Sequence, residues 1–386
     1  MTTTLTPGLL IDVVRDTDGF RALEHEWREL YEASPAATPF QTWEWLFTWW
    51  EVYGSDGDLA LVTARRDGRL VGVMPLMSTA PGHLQFVGTG LSDHLDVLVD
   101  AAHTEDVLSA WISYLHGRSR LALIDLHEVR PAAVVWQFYG RWPGHSGHYE
   151  QSTCAEFDVE PLEDMFAKWS KNTRRAARLA MKRIAKDGYT EHWASADDIG
   201  DMAERLVRAH QEMWAQRGGI TPAHAEERFV RFVRTACERM AQRDEVALMY
   251  LEPPEDADDP MLLSELMVVG RQYVGGWLSA DNEAARQRMS IALIENVHGI
   301  QVANRHGLAL MSMLRGLEAG KLRTYDRAKV NHRLLLAGPR PRALLAWLRC
   351  AAPAATIAQL KHWEKHNDTA ARLVAGLRNL RARIRR

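Results

Sequence analysis

The segment Arg315-Gly316-Leu317-Glu318-Ala319-Gly320-Lys321 sets a guanidinium, a carboxylate and an ammonium around a glycine turn. A carboxylate beside a cleft can accept a proton from an attacking nucleophile; Glu318 can equally pair with Arg315 or Lys321 and hold the turn in shape. A second proton acceptor is His210, which shares one helical face with Trp214 and Arg217 at i+4 and i+7. An imidazole titrates near neutral pH, so it suits a general base as well as a hydrogen-bonded structural role. Lys171-Asn172-Thr173-Arg174-Arg175 opens a basic stretch suited to an anionic ligand. Asp93 and His94, with Asp96, follow Gly88-Thr89-Gly90 on a loop that can meet a polar acceptor. Two carboxylates and an imidazole also have metal-ligand chemistry, but no outer ligand accompanies them in sequence, so no metal is expected.

The hydrophobic pattern supplies elements to hold these groups. Phe20, Leu23, Trp27, Leu30 and Tyr31 recur at helical spacing behind Asp16 and Asp18. Trp43, Trp45, Trp49 and Trp50 lie on a second helix with aromatics on nearly every side, which is either buried or a pocket wall. Asp67-Gly68 between apolar runs at 59–65 and 70–77 is a hairpin signal. Further strands are predicted at 84–87, 97–99, 121–126 and 155–159, with a helix after 99 and a short one near 134–139. From Pro161 a long basic helix runs to Lys186 and stops at Asp187-Gly188, followed by helices near 199–216 and 223–242 and a strand at 246–251. An acidic, proline-rich loop then leads to a hairpin, 262–269 and 273–279, turning at Gly270-Arg271; a helix over 283–305 and strands at 309–314 and 333–337 complete the unit. Hairpin, helix and strand thus recur in both halves, which predicts a duplicated α/β architecture with its junction near residue 160 and a helical appendage beyond Gly338-Pro339.

An apolar content of 46% with 25% charged residues is that of a globular protein, and 386 residues exceed one ordinary core. No apolar run approaches the ~20 residues that span a bilayer, and the first residues carry no basic leader, so a soluble cytoplasmic protein is expected. Cys154, Cys237 and Cys350 are too far apart and too few for a disulfide framework or a zinc site. The net charge of −3 hides two acid-free basic stretches. One holds Lys168, Lys171, Arg174, Arg175, Arg178, Lys182, Arg183 and Lys186; the other is the tail from Arg372 with Arg378, Arg381, Arg383, Arg385 and Arg386. Each suits a polyanion, whether a coenzyme phosphate or an RNA backbone, or forms a solvated helix face.

Lys171 to Arg175, His210-Gln211-Glu212-Met213-Trp214-Ala215-Gln216-Arg217-Gly218 and Met313 to Lys321 together resemble the CelD/BcsL-like acetyltransferases, a double-GNAT family related in architecture to FemAB-type aminoacyl transferases. The resemblance spans most of residues 20–333. It implies an α/β (α+β) fold of tandem GNAT-like domains sharing a cleft. The N-terminal domain would be 1–160, the catalytic domain 161–338 and a helical basic extension 339–386. The implied reaction is N-acyl transfer from an acyl-CoA thioester such as acetyl-CoA to the amine of a small molecule, with no metal. Glu318 or His210 would take the proton. Substrate contacts fall on Arg315, Lys321, Trp214, Arg217, Lys171, Asn172, Arg174 and Arg175, joined by Asp93 and His94 from the loop. Backbone at Trp277, Leu278 and Ser279 would hold the acyl group, and the next helix would receive the pyrophosphate.

The chain departs from the family pattern at three places. Ser312 and Gly320 replace an aspartate and a tyrosine, and Arg286-Gln287-Arg288-Met289-Ser290-Ile291 replaces a glycine turn. Arg286, Arg288 and Ser290 are therefore the expected phosphate ligands. The missing turn and the two basic stretches also suit an aminoacyl-tRNA donor, which FemAB-like relatives use, with a small-molecule or peptide amine as acceptor. A third reading is a non-catalytic binding module on a decayed transferase fold. Oligomeric state is not legible in the sequence.

Overall fold

A computed structural model describes residues 3–6, 8–118, 120–217, 219–258, 260–316 and 326–366; Glu318, Lys321 and the basic tail lie outside them. The first half contributes strands β1 (Thr3–Thr6), β2 (Leu9–Val14), β3 (Asp58–Arg66), β4 (Arg69–Ala80), β5 (His83–Phe86), β6 (Leu98–Val99), β7 (Leu123–Val129) and β8 (His145–Asp158). With them come helices α1 (Thr17–Ala22), α2 (Glu24–Ala33), α3 (Trp43–Tyr53), α4 (Thr104–His116) and α5 (Val135–Gly140). The second half contributes helices α6 (Leu162–Lys168), α7 (Lys171–Lys186), α8 (Ile199–Gln216), α9 (Glu227–Ala241), α10 (Glu283–Arg288), α11 (Ile291–Arg305) and α12 (Pro341–His366). Its strands are β9 (Thr190–Trp193), β10 (Val246–Glu252), β11 (Leu263–Val269), β12 (Val274–Asp281), β13 (Leu310–Arg315) and β14 (Arg327–Ala337). They form one sheet in the order β1-β2-β3-β4-β5-β7-β14-β8-β13-β12-β11-β10-β9, with β6 beside β4.

Local chemistry sets the turns. Asp67 and Gly68 both take positive φ, 50° and 83°, which the two-residue hairpin between β3 and β4 requires and which this pair tolerates best. The two halves are joined through β14. It pairs with β7, where Leu336 faces Ile124, and with β8, where Arg327 faces Glu156 and Ala337 faces His145. Both strands are longer than their sequence suggests: β8 begins at His145 instead of 155, and β14 at Arg327 instead of 333. The reason is that the first nine residues of β8 are only partly covered, so they carry polar side chains and lack the apolar run that marks a buried strand.

Two helices that read as continuous are broken. The basic stretch divides at Trp169-Ser170, where the Ser170 hydroxyl accepts from the Thr173 amide at 3.1 Å and caps α7. The segment over 283–305 divides because Met289 is extended (φ −147°, ψ 165°), so α11 begins afresh behind Ser290, which caps it with no side-chain hydrogen bond.

The aromatic face of α3 is core. Trp43, Trp45, Trp49 and Trp50 are all buried. Trp45 meets Phe232 of α9 and Trp277 of β12 edge-on, with ring centroids 4.9 and 4.8 Å away, so the first half rests on the second through this side chain. Arg239 of α9 lies over Trp43 and Phe47 and pairs with Glu51 at 2.6 Å.

Behind β11 and β12, α11 is fastened to the sheet by a buried charge. His298 has no exposed surface; its Nδ1 is 3.1 Å from Glu265 on β11 and its Nε2 is 3.6 Å from Glu191 on β9. Burial opposes the cation, but the two carboxylates outweigh burial and raise this imidazole to about 10. Because the folded value lies above the ordinary ~6.5, the stabilisation is complete below that pH and is lost as pH rises toward about 10. The melting temperature should therefore fall between pH 7 and 10. In His298→Gln the protein should be less stable at pH 7, by roughly 3–5 kcal/mol for a broken buried pair, and the fall over that window should shrink. Parallel pH profiles for the two proteins would show that His298 is not charged in the fold.

Candidate active site

The site forms where β12 and β13 part. They run parallel and pair only at Val274 with Met311 and Gly275 with Ser312. Gly275 permits this close pairing, since a β-carbon there would come within 3.0 Å of Leu314. Beyond it, β12 carries a bulge at Trp277: Leu278 faces Leu266 on β11, and the next pair is Gly276 with Met267. Farther along, α8 takes up the freed edge of β12. His210 Nδ1 lies 2.9 Å from the Ser279 carbonyl, and the Asp281 amide points at Met213 sulfur at 3.4 Å. What remains without a strand partner on the β13 side is Gly276 to Leu278. The cleft beside it is lined by Gly276, Trp277, Leu278, Asn296, Met311 and Met313. An extended ligand with amide and carbonyl groups can lie in such a gap as an added strand, and unpaired amides there can polarise a carbonyl. α11 borders the cleft through Glu295 and Asn296, and one turn earlier its start has no side-chain cap and carries the positive end of the helix dipole.

The floor, meaning the turn that follows cleft-lining Met313 at the end of β13, is set by Arg315. After Ser312, which is fully buried and faces Glu156, β13 bulges so that Arg315 is the next residue paired with β8, opposite Cys154. Leu314 takes φ 51° and Gly316 φ 101° to make that turn. The turn carries Arg315 into the loop 88–96 of the first half. Its amide donates to Asp93 Oδ2 at 3.0 Å, its Nε to Asp93 Oδ1, and its Nη2 to the Leu91 carbonyl at 3.3 Å; Glu128 lies 3.8 Å from Nη1. Asn331 Nδ2 of β14 donates to the Asp93 carbonyl at 2.8 Å and to Glu128 at 3.1 Å, and the Ser152 hydroxyl donates to Glu128 as well. Burial pushes the Glu128 carboxyl upward while Arg315, Ser152 and Asn331 pull it down. Burial likewise raises the Cys154 thiol, so it is a poor nucleophile. Glu128 is itself left-handed, φ 53°, so two non-glycine residues are strained around one ion cluster.

Asp93 and His94 hold this floor and do not face an acceptor. Both are buried, Asp93 bound to Arg315 and His94 Nδ1 2.6 Å from the Tyr273 hydroxyl. Burial, with Arg130 and Arg315 nearby, lowers His94 to about 3, so it is a neutral hydrogen-bonding ring. Asp96 points elsewhere and accepts from the Val134 and Val135 amides at 2.6 and 2.9 Å, where α5 starts. The three do not converge, and no group of three or more metal-ligating side chains occurs among the described residues.

Trp214 packs edge-on to His210, and Arg217 lies over Trp214 while pairing with Asp281 at 2.8 Å. Arg286 shares the same Asp281, so two guanidinium groups flank one carboxylate at the end of β12, two residues past the cleft-lining Ser279. Arg288 turns away toward Asp187, which caps the C-terminus of α7, 3.8 Å distant. Lys171, Asn172 and Arg175 are exposed at the start of α7, with Arg174 donating to the Phe166 carbonyl at 3.5 Å, and none of the four lines the cleft. Of the residues picked out by sequence, Trp277, Leu278 and Ser279 line the cleft itself; His210, Trp214, Arg217 and Arg286 form one connected group that reaches it through Ser279, and Arg315 belongs to the separate Asp93 cluster.

Glu128, Tyr273, Asn331 and His224 belong to the site without any mark in the sequence pattern. His224 sits in a short turn, Pro222–Ala225, ahead of α9, and its Nδ1 is 3.4 Å from His210 Nε2. Its ring stacks on Phe229 at 4.3 Å. Burial, His210 and Arg315 lower it to about 4, and burial lowers His210 too. A proline turn between two helices is the available signal, but nothing in a linear pattern ties such a turn to a residue on the preceding helix.

Comparison with known proteins agrees with this geometry. Residues 171–322 match the acetyltransferase (GNAT) domain family. No curated protein matches the chain. The crystal structure of FemX is similar at a TM-score of 0.55 and 10% identity, covering 81% of this chain and 95% of that one. The C-terminal domain (DUF2156) of a putative lysylphosphatidylglycerol synthetase from Agrobacterium fabrum is similar at a TM-score of 0.52 and 10% identity, covering 86% and 96%. At that identity the likeness is one of fold. The second half of the chain carries a GNAT acetyltransferase domain, and the protein is an acyltransferase with a GNAT-like α/β fold.

Proposed function

We propose that this chain is a CelD/BcsL-like cytoplasmic N-acyltransferase that moves an acyl group from an acyl-CoA thioester to the amine of a small molecule. Residues 1–160 and 161–338 are read as two GNAT-like domains sharing the cleft, with 339–386 as a basic helical extension. The observation that carries the reading is the gap between β12 and β13, whose stretch Gly276 to Leu278 has no strand partner on that side and shares the cleft with Glu295 and Asn296 of α11. The pantetheine amides of coenzyme A would lie along that stretch, and its pyrophosphate would take the first α11 amides, with Arg217 and Arg286 on Asp281 as the nearby cations. The acyl carbonyl would rest against backbone at the Trp277 bulge, and the amine would approach from the side of Arg315 and His210. Lys321 and Glu318 belong to the same turn in sequence, and Glu318 remains a candidate base. No helix among the described residues is long and apolar enough to cross a membrane.

The helix start gives a test. Ser290→Asp should cap α11 better, yet it puts a negative charge where the pyrophosphate would bind. Calorimetric titration with acetyl-CoA and longer acyl-CoAs should show donor affinity falling about tenfold, roughly 1.4 kcal/mol, with no loss of melting temperature. An unchanged dissociation constant would remove the α11 start from the donor site.

A second donor, aminoacyl-tRNA, is favoured by one observation. On α7 the side chains of Lys171, Arg175, Lys182 and Lys186 are exposed and make no ion pair among the described residues. If charged tRNA binds, replacing these four with glutamine should weaken it at every salt concentration. Every phosphate neutralisation that is removed should flatten the log-affinity against log-salt slope by about 1. Absence of tRNA binding at low salt, beside a clear thermal shift with acyl-CoA, would leave the thioester as the donor.

A further inference from the structure

His210 is placed to be a base by sequence, but both of its nitrogens are engaged. Nδ1 lies against a carbonyl, that of Ser279 at 2.9 Å, and a carbonyl only accepts, so Nδ1 must carry the hydrogen. A neutral ring then has its lone pair on Nε2, and that nitrogen faces His224 Nδ1 at 3.4 Å. For this contact to be a hydrogen bond, His224 must carry its own hydrogen on Nδ1. Its lone pair is thereby fixed on Nε2, which makes no hydrogen bond with any described residue. His224 is also the more accessible of the two: His210 is 8% exposed, whereas His224 is only partly covered.

His224 stands behind the cleft wall, joined through His210 to Ser279 and through Phe229 to Trp277, both of which line the cleft. Its ring is stacked on Phe229, whose own ring lies 6.1 Å from Trp277 at the bulge. Burial, His210 and the Arg315 guanidinium all disfavour a cation on it. The geometry points to His224 as a catalytic base of the acyl transfer, with His210 and the Ser279 carbonyl as the chain that positions it.

This inference rests on the acyl-transfer reading above. As the amine nitrogen bonds to the acyl carbon, the carbonyl pair moves onto oxygen and the nitrogen becomes cationic. His224 Nε2 takes one of its protons. The oxyanion then collapses, the bond from carbon to the leaving group breaks, and the departing thiolate, or alkoxide from an ester donor, receives that proton from His224. The products are an amide and a thiol or alcohol, with both imidazoles restored to their starting state. While His224 is charged, its Nδ1–H bond to His210 becomes charge-assisted and shortens, and His210 passes the polarisation to Ser279 without losing its own hydrogen. A base held neutral by its surroundings keeps its lone pair available throughout the neutral range.

Two measurements decide it, one of which needs no substrate. Long-range 1H–15N NMR of the full-length protein at pH 7 should show both rings with hydrogen on Nδ1 and an unprotonated Nε2; a His224 hydrogen on Nε2 would overturn the proposal. In the second, release of free thiol from acetyl-CoA is followed with ethanolamine as the probe amine. His224→Ala should lower kcat by about 100- to 10,000-fold while KM for acetyl-CoA stays within about twofold, and added imidazole should restore part of kcat. Wild-type kcat in His224→Ala, or a loss confined to Glu318→Gln, would assign the base elsewhere. If wild-type protein releases no thiol, the thioester reading fails on this probe, and the tautomers measured by NMR still decide whether the pair is built as described.

Discussion

Asp93 closes around Arg315 with both carboxylate oxygens, one on the backbone amide and one on the side chain, and it does so from the other half of the chain. That two-point contact fixes more than an ion pair. By holding the amide it fixes the direction of the strand end, and by holding the guanidinium it fixes the side chain that follows from it. Leu314 must then be left-handed, β13 must leave β12, and the cleft exists because it does. Glu128, Ser152 and Asn331 surround the pair, so no member of a buried ionic cluster is left without a hydrogen bond to another. Truncating one member would leave the others charged and buried, which is why such a cluster holds a strained turn more firmly than its net energy suggests.

The charges are arranged so that the imidazoles near the cleft stay neutral while the one behind it stays charged. His94, His210 and His224 are all lowered by burial, and Arg315 or Arg217 adds to it. His298, buried at least as deeply as any of them, is raised because two carboxylates face it. Burial alone would treat these rings alike. The sign of the nearest neighbour separates the ring that fastens α11 from the rings that can handle a proton.

Much of this is legible in the sequence, and what is not has a common cause. The hairpin at Asp67-Gly68 and the helix carrying His210 and Trp214 follow from turn chemistry and period, which are local. The Arg315 turn is recognisable as a unit for the same reason. By contrast, β8 and β14 read as shorter than they are because half of each strand is polar, and a half-covered strand lacks the apolar run that marks one. The break at Met289 is invisible because nothing in Arg286 to Ile291 is a helix breaker by type. Asp93 and His94 stand out by residue type but look outward-facing, since a loop sequence does not reveal that a strand from far down the chain covers it. His224 shows the same limit, as its role depends on a ring one helix earlier and a carbonyl on β12.

The place of β14 bears on how this molecule comes into being. Its register fills the space between β7 and β8, strands made some two hundred residues earlier, so the sheet of the first half has an open edge along β7 until residues 327–337 arrive. During synthesis that edge is an invitation to any unpaired strand, and closing it requires contacts of very long sequence separation, the slowest kind to form. Asn331 rides on that last strand and reaches both Asp93 and Glu128. The chain therefore completes its Arg315 floor only when its final strand locks the sheet, so an unfinished copy carries a cleft without its floor.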